Sequence, residues 1–395
     1  MTATESTGIP RGQLAWIAQL ALVAALGIGV IYIPQPIQPL VADEFALPLE
    51  SAAGGVIATQ LGYAIGVFFL VALGDRVRPR LQVAAHLTTT AIALTVAAVA
   101  PWNELYVIAC FVAGAGATYG QLLVPVALRA VPASQRAVTT AVLVGSFLVG
   151  LFTVRTGLGA LAGLLGWRAT LVVCAAVLLA CLLLLRVVPA TVPTDPPSYL
   201  RLIASLPGVV RSSPTLVLMT ATHASVFAAF TTVWASITVF AVANLDFSVA
   251  QASLLGLAGL AGGATTMALA PVLARLTMRT GLVLTLGSAL AGTAILALGS
   301  GAAIAAVAGL YLVSAGMSGS QVFTQARALQ SVPSTASGRA NTVFVTGTFV
   351  ASSTAIAVAA VVQRSAGFPA VAWMAVAFVL TAATLAIVAR RRGLF

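Results

Sequence analysis

Long apolar runs separated by short polar gaps dominate the sequence. An α-helix needs about twenty apolar residues to cross the hydrocarbon core of a bilayer. Runs of about that length recur along the whole chain, at 14–40, 52–73, 81–100, 104–129, 137–162, 168–189, 215–242, 249–273, 281–299, 302–328, 340–363 and 368–389. The pattern predicts an all-α membrane protein with twelve transmembrane helices.

The placement of arginine between these runs predicts the orientation of the chain. Membrane proteins carry an excess of positive charge in their cytoplasmic loops. If the N-terminus is inside, the outer gaps hold Arg168 and Arg364, and we predict that both termini are cytoplasmic. The inner gaps then hold Arg76, Arg78, Arg80, Arg129, Arg136, Arg186, Arg201, Arg211, Arg275, Arg279, Arg339 and Arg390 to Arg392.

A long proline-rich gap divides the chain into a first and a second half, and its middle, 199–210, has the pattern of a short interfacial helix. A shift of about 200 residues superposes landmarks of the two halves, such as Gln121 on Gln321 and Arg136 on Arg339. Parallel repeats of six helices are a known transporter plan, with the substrate site between the halves. The predicted units are a six-helix bundle over 1–189, a cytoplasmic linker over 190–214 and a second, pseudo-symmetric six-helix bundle over 215–395.

The composition excludes several classes of protein. Charged residues make up 7% of the chain, whereas a soluble domain has roughly a quarter. The net charge of +11 does not indicate a nucleic-acid partner, because the basic residues lie mostly in the short gaps between apolar runs. Eight carboxylates and two histidines show neither a catalytic constellation nor the spacing of metal ligands. We therefore expect a protein surrounded by the lipid bilayer that is not an enzyme and needs no cofactor or metal.

A charged motif follows the second apolar run. Residues 73–80 read LGDRVRPR, which resembles the signature G-x-L-a-D-R-x-G-R-[KR] of the major facilitator superfamily. The resemblance covers the whole chain, because it includes the helix count, the repeat of six helices and the long central loop. It implies a working monomer and a cytoplasmic gate that contains Asp75 and Arg76, with Arg78 or Arg80 as the trailing base.

Within the superfamily, the sequence is most similar to the 12-helix drug:proton antiporters. The end of the first run, at 32–39, reads YIPQPIQP, and the fifth run closes with Gly-Trp-Arg at 166–168, both as in that group. The chain departs from the group at two positions. Cys110 stands where the antiporters carry a buried arginine, and Arg155 stands where their glycine-rich motif has a proline.

Arg155 is the most informative residue of the sequence, because it lies deep in an apolar run. A charge at that depth costs several kcal/mol unless it is paired or hydrated, so it should face a cavity. A guanidinium offers five donors and binds carboxylates with two parallel bonds. We predict that Arg155 binds an anionic or zwitterionic substrate. The alternative is a structural arginine that donates to helix carbonyls.

Other polar and aromatic side chains within the runs are predicted to line the same site, and their alternative role is hydrogen bonding between helices. These residues are Gln60, Tyr63, Tyr119, Gln121, Gln321 and Trp234. His223 is the deep side chain that titrates nearest neutral pH, and Asp43 lies at the outer end of the first run. Both are candidates for proton coupling, although a lone histidine is more often a packed, hydrogen-bonded residue.

These features predict a secondary transporter in a bacterial cytoplasmic (inner) membrane. We expect it to export a small organic molecule by alternating access with a proton as the coupling ion. Uptake or facilitated diffusion of an organic anion is the alternative within this class. A membrane enzyme is disfavoured because no nucleophile, acid and base come together in the sequence. A channel is disfavoured because the chain has no ring of identical pore residues.

Overall fold

A computed structural model describes residues 11–48, 52–71, 73, 76–132, 135–188, 198–273, 275–299, 302–333 and 336–395. All regular secondary structure in these ranges is helical, as the apolar runs predict. The helices of the first half are α1 Arg11–Val30, α2 Pro34–Glu44, α3 Gly54–Phe69, α4 Pro79–Val99, α5 Asn103–Gly116, α6 Tyr119–Ala130, α7 Arg136–Leu165, α8 Trp167–Ala180 and a 3₁₀ segment Cys181–Val187. Those after it are α9 Tyr199–Ser212, α10 Pro214–Asn244, α11 Val249–Leu254, α12 Gly256–Ala268, α13 Ala270–Leu273, α14 Met278–Leu298, α15 Ala303–Gln330 and α16 Ser337–Arg391.

Proline and glycine explain where the helices break. A turn at 31–33 separates α1 from α2, and Pro34 takes the first position of α2, where a helix does not need its missing N–H. Within α16, Gly367 has φ 74°, a conformation that glycine adopts at little cost, and Pro369 follows two residues later. The break falls between the predicted runs 340–363 and 368–389.

Nine helical segments in the described ranges are long and apolar enough to cross a membrane. The predicted number is twelve, and three features account for the difference. The apolar helix α3 has only 16 residues, α16 covers two predicted runs, and the run 249–273 is divided among the short helices α11, α12 and α13.

Helices pack within each half and across the division. In the first half, α3 and α4 pack on α5, and α1 packs on α7; in the second, α10 and α14 pack on α15 and α16. Across the division, α3 contacts α16, α7 contacts α11 and α12, and α2 contacts α10. Glycine permits the closest approaches, since a Cβ on Gly150 of α7 would lie 2.0 Å from the carbonyl oxygen of Ala25.

The linker contains the helix that the sequence predicts at 199–210, observed as α9. Leu206 and Val209 are buried on its inner side, whereas Leu200 is exposed. The Tyr199 hydroxyl donates to the carbonyl of Phe69 at the end of α3, 3.0 Å away. Further along α9, Ser205 accepts a hydrogen bond of 3.0 Å from Arg339 at the start of α16. The linker helix therefore contacts both halves of the chain.

Candidate functional site

Arg155 lies on α7 at the division between the halves and is 1% exposed. Its Nη1 donates to the side-chain oxygen of Gln35 on α2. Its Nη2 donates to the carbonyl of Trp234 at 3.0 Å and to the Thr238 hydroxyl at 2.9 Å, both on α10. The guanidinium also lies 4.5 Å from the centroid of the Trp234 ring, within the range of a cation–π interaction. We call Arg155, Gln35, Trp234 and Thr238 the Arg155 cluster.

Local sequence places each member of this cluster. Gln35 follows Pro34 at the start of α2, immediately after the turn that interrupts the first predicted run. Trp234 and Thr238 are four residues apart on α10 and share one face of that helix. Arg155 therefore bonds to the start of α2, just after a helix break, and to one face of α10. Its partners on α10, Trp234 and Thr238, belong to the other half of the chain.

The charge of Arg155 is held by neutral groups in the described part of the chain. Its three acceptors are an amide, a backbone carbonyl and a hydroxyl, and each of them is a weaker partner than a carboxylate. A buried charge without an opposite charge is costly. The cluster thus contains a cation that would gain from an anionic partner.

The Arg155 cluster contains unused hydrogen-bond donors. Among the described residues, buried atoms that lack a partner include Nε of Arg155, Nε1 of Trp234 and the side-chain nitrogen of Gln35. All three are N–H donors, and a buried donor without an acceptor is rare in folded proteins. A ligand rich in acceptor oxygens would satisfy them, so the chemistry of the cluster fits an anion.

Gln60 and Tyr63 join α3 to α16 beside this region. The Ser352 hydroxyl donates to the Gln60 side-chain oxygen, and Tyr63 packs on Phe349 with ring centroids 4.6 Å apart. Ser352 also lies 2.9 Å from the hydroxyl of Thr231 on α10. The structure therefore places Gln60 and Tyr63, both predicted site residues, at contacts between the halves.

The other predicted lining residues do not hydrogen-bond to the Arg155 cluster in the described structure. Tyr119 is buried on α6, against Gly27 of α1, where a Cβ would lie 2.9 Å from the tyrosine ring. Gln121 is half-buried on the same helix. Gln321 donates to Gln325 on its own helix at 3.3 Å. Gln121 and Gln321, which the repeat relates to each other, share no hydrogen bond in the described structure. The role of Tyr119, Gln121 and Gln321 as lining residues stays a prediction.

The two candidates for proton coupling lie in different surroundings. His223 is 1% exposed and stacks on Phe344, with centroids 5.1 Å apart and an interplanar angle of 11°. Its Nδ1 lacks a partner among the described residues. Asp43, near the end of α2, is exposed. The structure thus puts His223, and not Asp43, within the protein interior.

The predicted gate is described in part. Asp75 lies outside the described residues, and Arg76 is exposed. Arg80 donates from Nε to the carbonyl of Val188 at 2.6 Å and from Nη2 to the carbonyl of Arg186 at 3.0 Å. A cation at the C-terminal end of a helix satisfies carbonyls that have no helical partner. Arg80 therefore ties α4 to the end of the 3₁₀ segment.

Sequence reasoning missed an ion-pair cluster at the ends of α2, α4 and α8. Arg168 donates from Nε to Glu44 at 2.7 Å and from Nη1 and Nη2 to the carbonyls of Ala98 and Ala100 at 2.6 and 2.8 Å. Trp167 donates to the second carboxylate oxygen of Glu44 at 2.6 Å. We call Glu44, Trp167 and Arg168 the Glu44 cluster. Its signal was a Trp-Arg pair directly after a helix-ending glycine, opposite an acid at the end of the first run.

Gln35 and Thr238 were also absent from the predicted site. Gln35 stands inside the proline-marked segment at 32–39, where a buried amide needs a partner. Thr238 gave no such signal, because a threonine on an apolar helix can bond to its own backbone. Only side-chain contacts that reach from α7 to α10 make it a partner of Arg155.

The long apolar helices of the described residues are those of an integral membrane protein. Residues 20–356 match the family described as Major Facilitator Superfamily, and the chain belongs to this family. This agrees with the resemblance carried by the motif at 73–80.

Similar proteins support the same class. The chain is 33% identical over 362 residues to the probable transporter SCO4007 of Streptomyces coelicolor, covering 89% of this chain and 82% of the relative. It is 29% identical over 224 residues to the uncharacterized transporter YgaY of Escherichia coli O157:H7, covering 56% and 57% of the two chains.

Solved structures of low sequence identity share the fold. The nucleoside transporter NupG superposes with a TM-score of 0.74 at 13% identity, covering 93% of this chain and 98% of that one. A bacterial homolog of the human lysosomal transporter Spinster, in its inward-facing and occupied conformation, superposes with a TM-score of 0.73 at 14% identity, covering 97% and 98%.

Proposed function

We propose that this protein is a secondary active transporter of the drug:proton antiporter type that exports a small organic anion or zwitterion by alternating access. The observation that carries the proposal is the Arg155 cluster, a buried cation that is bonded across the division of the chain to neutral groups. The proposed site contains Arg155, Gln60, Tyr63, Tyr119, Gln121, Gln321 and Trp234, to which we add Gln35 and Thr238.

The proposed architecture is the one that the pattern of apolar runs predicts. Twelve transmembrane helices form bundles over 1–189 and 215–395, joined by the cytoplasmic linker 190–214. Both termini face the cytoplasm of a bacterium, and the gate with Asp75, Arg76 and Arg80 lies on that side. The protein works as a monomer in the inner membrane.

Alternating access requires contacts between the halves that can break and re-form. The bonds from Arg155 to Trp234 and Thr238 have this property, because they join α7 to α10 and use neutral acceptors. A carboxylate accepts two parallel bonds from a guanidinium and also brings the opposite charge, which the neutral acceptors do not. A substrate anion can therefore replace these acceptors when the halves separate. Arg155 then has a hydrogen-bond partner both when the halves are in contact and when they are apart.

Accumulation in cells tests the proposal. Cells expressing wild type, Arg155→Leu or the control Arg168→Leu receive labelled cationic, zwitterionic and anionic compounds, with and without a protonophore. We expect cells with wild type or the control to be depleted of anions or zwitterions. This depletion should disappear with the protonophore and in cells with Arg155→Leu. Accumulation in place of depletion would instead support uptake of an organic anion. Equal transport by Arg155→Leu and wild type at equal expression would contradict the role of Arg155.

Proton coupling is proposed for His223, with Asp43 as the second candidate. Phenylalanine at position 223 keeps the stack on Phe344 and removes the titrating nitrogens. In proteoliposomes with an imposed pH gradient, we expect His223→Phe to lose gradient-driven accumulation and to keep exchange of substrate for substrate. Asp43→Asn is the matched variant at an exposed position. If His223→Phe kept gradient-driven transport at the wild-type rate, Asp43 would become the proposed coupling residue. If Asp43→Asn kept it as well, neither residue would couple protons to transport.

A further inference from the structure

One face of α10 carries a continuous row of aromatic side chains. His223, Phe227, Phe230 and Trp234 follow one another at spacings of four, three and four residues, which places them on one side of a helix. Thr238 continues the row by one more turn. All five are at least nine-tenths buried. We call these four rings the aromatic row; it ends at the Arg155 cluster.

A ring from the first half, Phe152, packs against this row. Phe152 of α7 lies 5.4 Å from Trp234 and 6.3 Å from Phe230, measured between ring centroids. A Cβ on Gly259 of α12 would lie 2.1 Å from the Phe152 ring and 2.6 Å from the Trp234 ring, so only glycine leaves room for this arrangement. From its own half, Phe349 of α16 packs on Phe227 at 5.1 Å. The aromatic row is therefore covered in part by the other half of the chain.

Separation of the halves would uncover these ring faces next to Arg155. Ring faces prefer another ring, because aromatic pairs gain attraction beyond the area that they bury. The indole N–H of Trp234 lacks a partner among the described residues, although a buried tryptophan usually finds one. If Phe152 moves away with its half, it opens an apolar slot beside Phe230 and Trp234. This slot lies next to the Arg155 cation and the unused indole N–H.

We propose that the transported anion carries a planar aromatic ring. Its carboxylate takes the place of the Gln35 side chain on Arg155, within reach of the Trp234 indole N–H. Its ring packs against Phe230 in the slot that Phe152 fills in this structure. The inference rests on the proposed function and deepens it, since it names the substrate class of the same site. A row that only packed the core would show no preference among anions.

Binding to purified protein tests the inference without any need for transport. The melting temperature of the detergent-solubilised full chain is measured with benzoate, 1-naphthoate, cyclohexanecarboxylate, butyrate, benzyl alcohol and benzylamine. A ligand that binds the native state raises the melting temperature, and at one ligand concentration the rise grows with the logarithm of the affinity. We expect benzoate and 1-naphthoate to bind about tenfold more tightly than cyclohexanecarboxylate, which has the same charge and a similar size.

Variants separate the ring contact from the charge contact. Phe230→Leu is expected to remove the preference for benzoate over cyclohexanecarboxylate while both still bind better than benzyl alcohol. If Phe230→Leu is not monodisperse after purification, Phe230→Met replaces it, because the flexible methionine side chain fills irregular buried space without offering a ring. Phe240→Leu is the matched control, because Phe240 is a buried ring of α10 that stacks on Phe368 and lies outside the row.

The outcomes distinguish the two proposals. If benzoate and cyclohexanecarboxylate bind equally well, and both lose affinity in Arg155→Leu, the inference of an aromatic substrate is overturned and the proposed anion site stands. Tighter binding of benzyl alcohol or benzylamine than of benzoate overturns the anion site and this inference with it. Loss of the ring preference in Phe240→Leu as well as in Phe230→Leu assigns the effect to general packing and also overturns the inference.

Discussion

Arg168 and Arg155 have opposite surroundings in this protein. The side chain of Arg168 is 33% exposed, and it pairs with the Glu44 carboxylate and two carbonyls, all within the first half of the chain. Arg155 is 1% exposed, and in the described structure it bonds to neutral acceptors, two of them in the second half. The first arginine has its counter-charge, and the second does not.

This difference separates a structural contact from an exchangeable one. An arginine that is bonded to a carboxylate of its own half has no better partner to gain and can move with that half as one body. An arginine that is buried among neutral groups of both halves gains when an anion arrives. We therefore assign stability to the Glu44 cluster and substrate binding to the Arg155 cluster.

Removing Arg155 should produce the largest effect on transport. Hydrogen bonds to a charged group contribute about 1.5–3 kcal/mol each. Losing one such bond to a substrate anion should lower affinity by about ten- to a hundredfold in Arg155→Leu. Arg155→Lys keeps the charge and loses the two-pronged geometry, so we expect an intermediate loss. Both are measured as uptake into proteoliposomes over a range of anion concentrations.

Expression and monodispersity equal to wild type are the control for both variants. If Arg155→Lys were as inactive as Arg155→Leu, planar recognition by the guanidinium would matter more than its charge. Wild-type affinity in Arg155→Leu would refute the assignment.

Giving Arg155 a permanent carboxylate should have the next largest effect. In Gln35→Glu the new side chain pairs with Arg155 and competes with the substrate, so anion affinity should fall by at least about tenfold while the melting temperature rises. Gln38→Glu is the matched control, three residues along the same helix and 4% exposed. An added carboxylate there has no bond to Arg155 and should lower the melting temperature.

The sign of the change in melting temperature decides this prediction. A decrease in both variants would mean that Arg155 does not act as a cation that lacks a counter-charge.

Removing the ion pair in the Glu44 cluster should have the smallest effect on transport. Arg168→Leu loses a partly exposed ion pair and two charge-assisted bonds to carbonyls, in total about 2–4 kcal/mol of stability after screening by solvent. We expect a lower melting temperature and unchanged anion affinity. Calorimetry and equilibrium binding on the same preparation measure the two quantities. A loss of affinity as large as that of Arg155→Leu would remove the distinction between the two clusters.

Much of the fold could be predicted from the sequence because membrane helices reveal themselves by their own composition. The apolar runs predicted the helices, and the gap between 363 and 368 predicted the break that the structure places at Gly367. Arg155 was found in the same way, since a charge within an apolar run stands out without any knowledge of its neighbours. The family followed from the motif at 73–80, although Asp75 itself lies outside the described residues.

The partners of Arg155 could be predicted less well, because they depend on which helices meet. Gln35 and Thr238 bond to Arg155 from 120 and 83 positions away in sequence. The aromatic row was readable as a helical period, but such a period is equally typical of a packed core. The repeat relates Gln121 to Gln321, but it does not predict that Gln321 bonds to Gln325. An internal repeat relates positions and does not fix the rotamers of their side chains.

Counterflow of radiolabelled benzoate in proteoliposomes tests the central claim most directly. It needs no gradient and no knowledge of direction, and it requires only that an anion bind and that the site alternate between the two sides. We predict rapid counterflow for wild type and Arg168→Leu, and none for Arg155→Leu at the same protein-to-lipid ratio. Counterflow by Arg155→Leu at the wild-type rate would contradict the account.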